Sequence, residues 1–191
     1  MAASQNANGL TNGHANGVEA ARYTRFGDIP AVIDIPVRGE DGDEAVNLDL
    51  TELQDETDEL CDLLGNENAA KNFWITIALA YVKQNKVDIA IDMIKRGLQA
   101  FERGKTEDRL GLLTCLVWLQ LWRSRHTRRT KPENEGEDQR NKENFLQDAT
   151  GTLNDAMRLS PSYPPLSLAR GVLGLLRASL SAGQPAGRVG G

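Results

Sequence analysis

The chain has 191 residues, a formal net charge of −5 and 26% charged residues, which predicts a soluble chain with one modest domain and tails. Its two cysteines, Cys61 and Cys115, are far apart. They therefore exclude a disulfide framework and a zinc knuckle, and they favour a reducing compartment. The most apolar stretch, residues 110–122, is too short to span a bilayer, so we expect no membrane segment.

The N-terminal part has two predicted segments. Residues 1–27 are rich in Asn, Gly, Ala and Ser, and so little apolar surface predicts a disordered tail. Residues 28–66 predict an extended arm followed by a short helix. In the arm, Ile33, Ile35 and Val37 alternate with polar residues or proline. Proline in such a stretch excludes a helix and favours an edge strand or an extended arm.

The short helix is expected at about residues 51–64. Thr51 and Gln54 have the spacing of a capping box, which is a signal for a helix N-terminus. Gly65 follows the last apolar residue and is a common helix stop.

Residues 67–105 predict the first of two similar helical hairpins. Large and small residues recur at fixed helical spacings: Trp74, Ile77, Ala78, Tyr81, Ala90, Ile94 and Gly97. These positions fit the tetratricopeptide pattern W-x2-L-G-x2-Y…A-x3-F, in which one helix–turn–helix unit repeats about every 34 residues. The alternative is an ordinary amphipathic hairpin from another kind of helical bundle.

Residues 106–163 predict a second repeat. Its first helix is apolar around nearly its whole circumference, so it must be buried on most sides. A basic and acidic insertion at 124–143 then separates the two helices. The second helix carries the closing half of the pattern: Ala149, Leu153, Ala156 and Pro161. Residues 164–178 predict the start of a third repeat, and 179–191 a second disordered tail.

The predicted fold is therefore all-α, a tetratricopeptide-repeat superhelix with a disordered N-terminal tail and an extended N-terminal arm. About three repeats are needed for independent stability, because each repeat buries its apolar face against its neighbours. We therefore expect that the chain is a piece of a longer array or that a partner covers its open end.

Repeats of this kind bind other chains, so the sequence favours a scaffold over an enzyme, with no cofactor and no metal. His14 and His126 have no Cys or carboxylate nearby at ligand or catalytic spacing. The stretch from Gly104 to Thr106 lacks the preceding glycine of a phosphate-binding loop, since Gln99 occupies that position.

Apolar side chains are the candidate partner-binding residues. They are Ile33, Ile35 and Val37 in the arm, and Ile75, Leu79, Trp118 and Trp122 in the repeats. Alternatively, Trp118 and Trp122 pack between repeats. Ile75 and Leu79 occupy the positions at which co-chaperone repeats carry Lys and Asn to hold a peptide carboxylate. The runner-up function is therefore a generic peptide-binding or co-chaperone module without a carboxylate clamp.

A run of basic residues is a candidate nuclear import signal: Arg123, Arg125, Arg128, Arg129 and Lys131. The alternative interpretation of this run is a solvated loop, because four carboxylates follow it and cancel its positive electrostatic field beyond a Debye length. Direct nucleic-acid binding is not expected, since no aromatic residues interleave with the arginines.

Residues 28–176, above all 33–38 and 74–98, resemble the N-terminal portion of the tetratricopeptide-repeat scaffold subunit of the polymerase-associated factor complex. The resemblance implies a nuclear scaffold whose partners are the other subunits of that complex and, through them, RNA polymerase II and chromatin. It also implies a role in transcription elongation and co-transcriptional histone modification by recruitment, without a small-molecule substrate or a membrane.

Overall fold

The computed structural model describes residues 29–39, 42–126 and 135–182. A two-stranded antiparallel sheet comes first, with β1 at Val32–Gly39 and β2 at Gly42–Asp49. The helices then follow in chain order: α1 Asp58–Asn66, α2 Lys71–Lys83, α3 Val87–Ala100, α4 Thr106–His126, α5 Glu135–Leu159 and α6 Pro164–Ala182. The tail predicted at 1–27 lies outside the described residues, as does the predicted C-terminal tail from residue 183 onward.

The predicted arm is a β-hairpin in which the strands pair from Val32 with Asp49 to Gly39 with Gly42. Alternation gives the hairpin one apolar face. On that face Ile35 is fully buried, while Ile33 and Leu48 pack against the helical core. The hairpin therefore belongs to the folded body instead of extending away from it.

The predicted short helix begins later than expected, at Asp58 instead of about residue 51. Thr51 does not cap a helix, because its hydroxyl and its backbone N–H both donate to Asp49 Oδ1, at 2.6 and 2.8 Å. Three side chains from α2 and the turn after it instead hold the backbone carbonyls of this segment: Tyr81 Oη donates to Gln54 O (2.7 Å), Gln84 Nε2 to Leu50 O (3.0 Å) and Lys86 Nζ to Leu53 O (3.0 Å). Those carbonyls are thereby satisfied without helical bonds.

Helices α2 and α3 form a hairpin within the range predicted for the first repeat, and a core cluster lies between them, α1, α4 and β1. All seven pattern residues of this range are buried: Trp74, Ile77, Ala78, Tyr81, Ala90, Ile94 and Gly97. The indole of Trp74 lies so close to Gly97 that a Cβ there would stand 3.1 Å from two ring atoms. The small residue therefore sets how closely the helices approach.

Helix α4 is shared by two core clusters, which accounts for its apolar circumference. Leu112, Leu116 and Leu119 belong to the first cluster. Leu113, Val117 and Leu121 belong to a second cluster formed with α5 and α6. From the second half of the pattern, Ala149, Leu153 and Ala156 are buried in that second cluster, whereas Pro161 is exposed in the turn before α6.

The predicted insertion at 124–143 is largely helical in the structure. Helix α4 continues to His126 and α5 begins at Glu135, so residues 127–134 alone lie outside the described part of this range. Ser124, in the extended part of α4, is buried. Helix α6 also runs past the predicted limit of 178, because Leu180 still packs on the second cluster.

Candidate protein-interaction surface

Helices α2 and α4 lie side by side, and an ion pair fixes the position of one along the axis of the other. Lys71 Nζ is 2.7 Å from Asp108 Oδ1, and the Lys71 stem passes Gly111. Both helices are joined to α3 by short turns, so they run in the same direction. The rise per residue is about 1.5 Å in each helix, so Leu79, eight residues after Lys71, comes level with residues 116–119 of α4, which include Trp118.

The two helices turn partly apolar faces outward on the same side. Leu79 lies opposite the buried Ile77 and Tyr81 of α2 and is 39% exposed. Trp118 and Trp122 lie opposite the buried Gln120 of α4. We call the strip formed by Ile75, Leu79, Trp118 and Trp122 the α2–α4 surface.

The four residues of the α2–α4 surface differ in how much of each side chain is exposed to solvent. Trp122 is 48% exposed, and its indole stacks on the His126 ring at a centroid distance of 3.8 Å. Ile75 is half-buried and packs against the first core cluster. Trp118 is half-buried and packs against the second. Leu79 and Trp122 therefore offer the apolar area that a partner could cover, whereas Ile75 and Trp118 also support the fold.

Cys115 lies between Gly111 and Trp118 on the same side of α4 and packs against the first cluster. Burial raises the pKa of its thiol to about 12. The thiol therefore stays protonated at neutral pH, and a thiolate nucleophile is not available there. What the α2–α4 surface offers is apolar contact area, suited to a helix or an extended peptide.

The arm residues Ile33, Ile35 and Val37 occupy the apolar face of the hairpin. Ile35 is fully buried, and Ile33 packs against the first core cluster. A partner cannot reach Ile35 without displacing the hairpin, so Ile35 stabilises the fold and is not free for binding, whereas Val37 is half-buried.

The basic run is divided by the structure. Arg123 forms an ion pair with Asp88 on α3 and stacks on the Phe145 ring of α5 at 4.2 Å. Partial burial lowers the pKa of its guanidinium from the ordinary value. Arg125 is exposed at the end of α4. Arg128, Arg129 and Lys131 lie outside the described residues.

Sequence reasoning missed two features of this surface. The Lys71–Asp108 pair, which sets the register of α2 and α4, joins residues 37 positions apart, and sequence spacing gives no signal at that distance. The His126 stacking on Trp122 had a signal, since residues four apart share a helical face. Over residues 29–39, 42–126 and 135–182, no group of three or more metal-ligating side chains occurs, and no helix there is long and apolar enough to cross a membrane.

Comparison with known proteins adds the following. No protein-family model matches the chain. Over 93 residues it is 38% identical to the RNA polymerase-associated protein CTR9 of Saccharomyces cerevisiae, covering 48% of this chain and 8% of that protein. Over 92 residues it is 28% identical to Tetratricopeptide repeat protein 1 of Schizosaccharomyces pombe, covering 48% of this chain and 9% of that protein.

These relatives and the six helices decide the fold class. The chain has a tetratricopeptide-type helical-repeat fold. The predicted all-α class is confirmed, with the β1–β2 hairpin as its one sheet among the described residues. The aligned segments span less than a tenth of the length of either relative.

Proposed function

We propose that the chain is a protein-interaction scaffold and that partner proteins bind the α2–α4 surface. The observation that carries the proposal is the exposure of Leu79 and Trp122 on neighbouring helices of a repeat fold. Large apolar side chains held rigidly at a surface are typical anchors of protein interfaces. Binding of this kind supplies position instead of chemistry, so the chain itself acts without a catalytic step.

We further propose the polymerase-associated factor complex as the setting of this scaffold. The 38% identity to the RNA polymerase-associated protein CTR9 supports this choice. The partners are then the other subunits of the complex and, through them, RNA polymerase II and chromatin. The chain works in the nucleus and supports transcription elongation and histone modification by recruitment. The exposed Arg125 and the basic residues after it are the proposed import signal.

A second candidate is a generic peptide-binding repeat module, favoured by the similarity to Tetratricopeptide repeat protein 1. Ile75 and Leu79 would then line an apolar groove for a helix or an extended peptide. Such a module has no carboxylate clamp, because neither residue can pair with a peptide carboxylate. The two candidates share the α2–α4 surface and differ in the partner.

A charge on the α2–α4 surface tests the proposal. Leu79→Glu places a carboxylate on the surface, and Val32→Glu is the matched control, since Val32 is 43% exposed on the hairpin. We expect tagged wild-type chain and Val32→Glu to recover the elongation-complex subunits from nuclear extract, as identified by mass spectrometry. Leu79→Glu should lose them while its far-UV circular dichroism stays unchanged.

Three other results carry different meanings. Recovery of the subunits by all three chains would show that the α2–α4 surface is not the binding site. Recovery of unrelated peptides or chaperones, lost in Leu79→Glu alone, would support the generic module. Loss of helicity in Leu79→Glu would assign Leu79 to the core and contradict the proposed surface.

A further inference from the structure

The β1–β2 hairpin has two outer edges, and its register tells which backbone groups point outward. Arg38 N–H donates to Glu67 Oε2 at 2.9 Å, so it points away from β2. Backbone N–H groups alternate in direction along an antiparallel strand. Asp34 therefore also directs its N–H away from β2, and its partner on the opposite strand, Asn47, directs its N–H away from β1. Ala45, which pairs with Pro36, does the same.

The outer edge of β1 is closed to another strand at Pro36 and Arg38. Pro36 has no N–H to donate, and Glu67 already accepts the N–H of Arg38. Proline and a covered edge are among the devices that prevent further strand pairing. Val32 and Asp34, both on the N-terminal side of Pro36, leave outward N–H groups on this side.

The outer edge of β2 is open. Glu44, Ala45, Val46 and Asn47 are all exposed, and β2 contains no proline. Among the described residues, no hydrogen bond reaches the outward backbone groups of Ala45 or Asn47. Such an edge is a template for an added strand. The exposed Val46 and the half-buried Leu48 lie on the apolar face, so alternate side chains of an added strand would meet them.

Charge beside the end of β2 indicates the chemistry of the added strand. A cleft of about 450 Å³ has Leu48 and Leu60 among its apolar lining residues, and four carboxylates border it: Asp49, Glu52, Glu56 and Glu59. Within the described part of the chain, these four side chains take part in none of the ion pairs. Asp49 is held in place by its hydrogen bonds from Thr51. The cleft thus favours Lys or Arg over an acidic side chain.

We propose that the outer edge of β2 binds an extended basic segment of a partner protein as a third strand. The backbone of the segment pairs with Ala45 and Asn47. Its alternate apolar side chains cover Val46 and Leu48, and a Lys or Arg side chain enters the acidic cleft. This site is separate from the α2–α4 surface and does not depend on the elongation-complex assignment.

A synthetic seven-residue peptide of alternating Lys and Val, added to the full chain, tests the proposal. Hydrogen exchange measured by NMR reports on the amides of Ala45 and Asn47. We expect the peptide to slow exchange at both amides by more than tenfold at saturation, because each becomes hydrogen-bonded. A peptide of alternating Glu and Val should not bind, since the acidic cleft repels it.

Two proline variants form a matched pair. Asn47→Pro removes an outward N–H from β2, and Asp34→Pro removes one from β1. Both variants lose the same hydrogen bond, from Asn47 Nδ2 to Asp34 Oδ1 at 2.9 Å. We expect Asn47→Pro to raise the dissociation constant of the basic peptide at least tenfold and Asp34→Pro to change it less than twofold.

Some results would overturn the proposal. Two concern the peptides: the basic peptide does not bind, or the acidic peptide binds as tightly as the basic one. Two concern the chain: both proline variants change the dissociation constant equally, or the amides of Ala45 and Asn47 are already protected from hydrogen exchange without peptide. If Asn47→Pro fails to fold, two versions of the basic peptide test the same bonds, one N-methylated at its odd-numbered residues and one at its even-numbered residues. Only one of these two sets of N–H groups faces β2 in an added strand. One peptide should therefore fail to bind and the other should bind, whereas equal binding of both would contradict strand addition.

Discussion

At the scale of single residues, the close approach of α2 and α3 depends on Gly97. The Trp74 indole is almost fully buried and covers the space that a side chain at this position would need. The helical pattern predicted a small residue here, but the contact that requires it is visible only in the structure. At Gly151 on α5, by contrast, a Cβ would meet no atom within 4 Å.

We predict that Gly97→Val lowers the free energy of unfolding by about 1–3 kcal/mol, because the added side chain overpacks the Trp74 ring. Gly151→Val is the matched control and should change it by less than about 0.5 kcal/mol, since only helix propensity differs. Urea denaturation followed by circular dichroism measures both variants. Equal effects would show that the Trp74 ring moves aside without cost.

At the scale of elements, residues 50–57 form a non-helical segment that ties the hairpin to α2. The capping-box spacing of Thr51 and Gln54 predicted a helix here, and that prediction is wrong. Local spacing could not reveal the competing partners, because Tyr81, Gln84 and Lys86 lie about thirty positions further along the chain. Tertiary hydrogen bonds outweighed a local helix signal.

We predict that Tyr81→Phe loosens this segment. The variant removes the hydroxyl that donates to Gln54 O and should cost about 1 kcal/mol. Hydrogen exchange should become faster in residues 50–57, while the amides inside α5 stay as they are. Tyr163→Phe, at an exposed tyrosine before α6, is the control and should alter neither region. Unchanged exchange in Tyr81→Phe would mean that Gln84 and Lys86 hold the segment without it.

At the scale of the whole molecule, two core clusters are joined through α4. In repeat folds each unit contacts only its neighbours, so damage at one end is expected to stay there. The hairpin, α1, α2 and α3 contribute to the first cluster, whereas α5 and α6 contribute to the second. The two ends of the molecule can therefore differ in local stability.

We predict that Leu166→Ala, at a fully buried position on α6, destabilises the second cluster by about 2–5 kcal/mol through the cavity it leaves. Native-state hydrogen exchange should become faster in α5 and α6 and change little in α2 and α3. Leu168→Ala is the control on the same helix, because Leu168 is 63% exposed. Equal acceleration in all helices would show that the chain unfolds as a single unit.

The sequence by itself determined the fold class and most helices, because the 3.6-residue period and the spacing of small residues are local properties of the chain. Alternation of Ile33, Ile35 and Val37 also predicted an edge strand or an extended arm there, and the sequence named Leu79 and Trp122, which the structure leaves exposed. The end of α4 was predicted too early, because the polar residues Arg123 and Ser124 are typical of a loop. In the structure Arg123 contacts Asp88 of α3 and Phe145 of α5, and Ser124 is buried.

Only the tertiary structure decided which apolar residues are available to partners. Ile35 and Val46 are neighbours in the hairpin register, yet one is fully buried and the other is 39% exposed. The difference arises because helices cover β1 while the outer edge of β2 faces solvent. Burial and open strand edges depend on contacts between segments that are distant in sequence. The apolar pattern within one segment carries no information on those contacts.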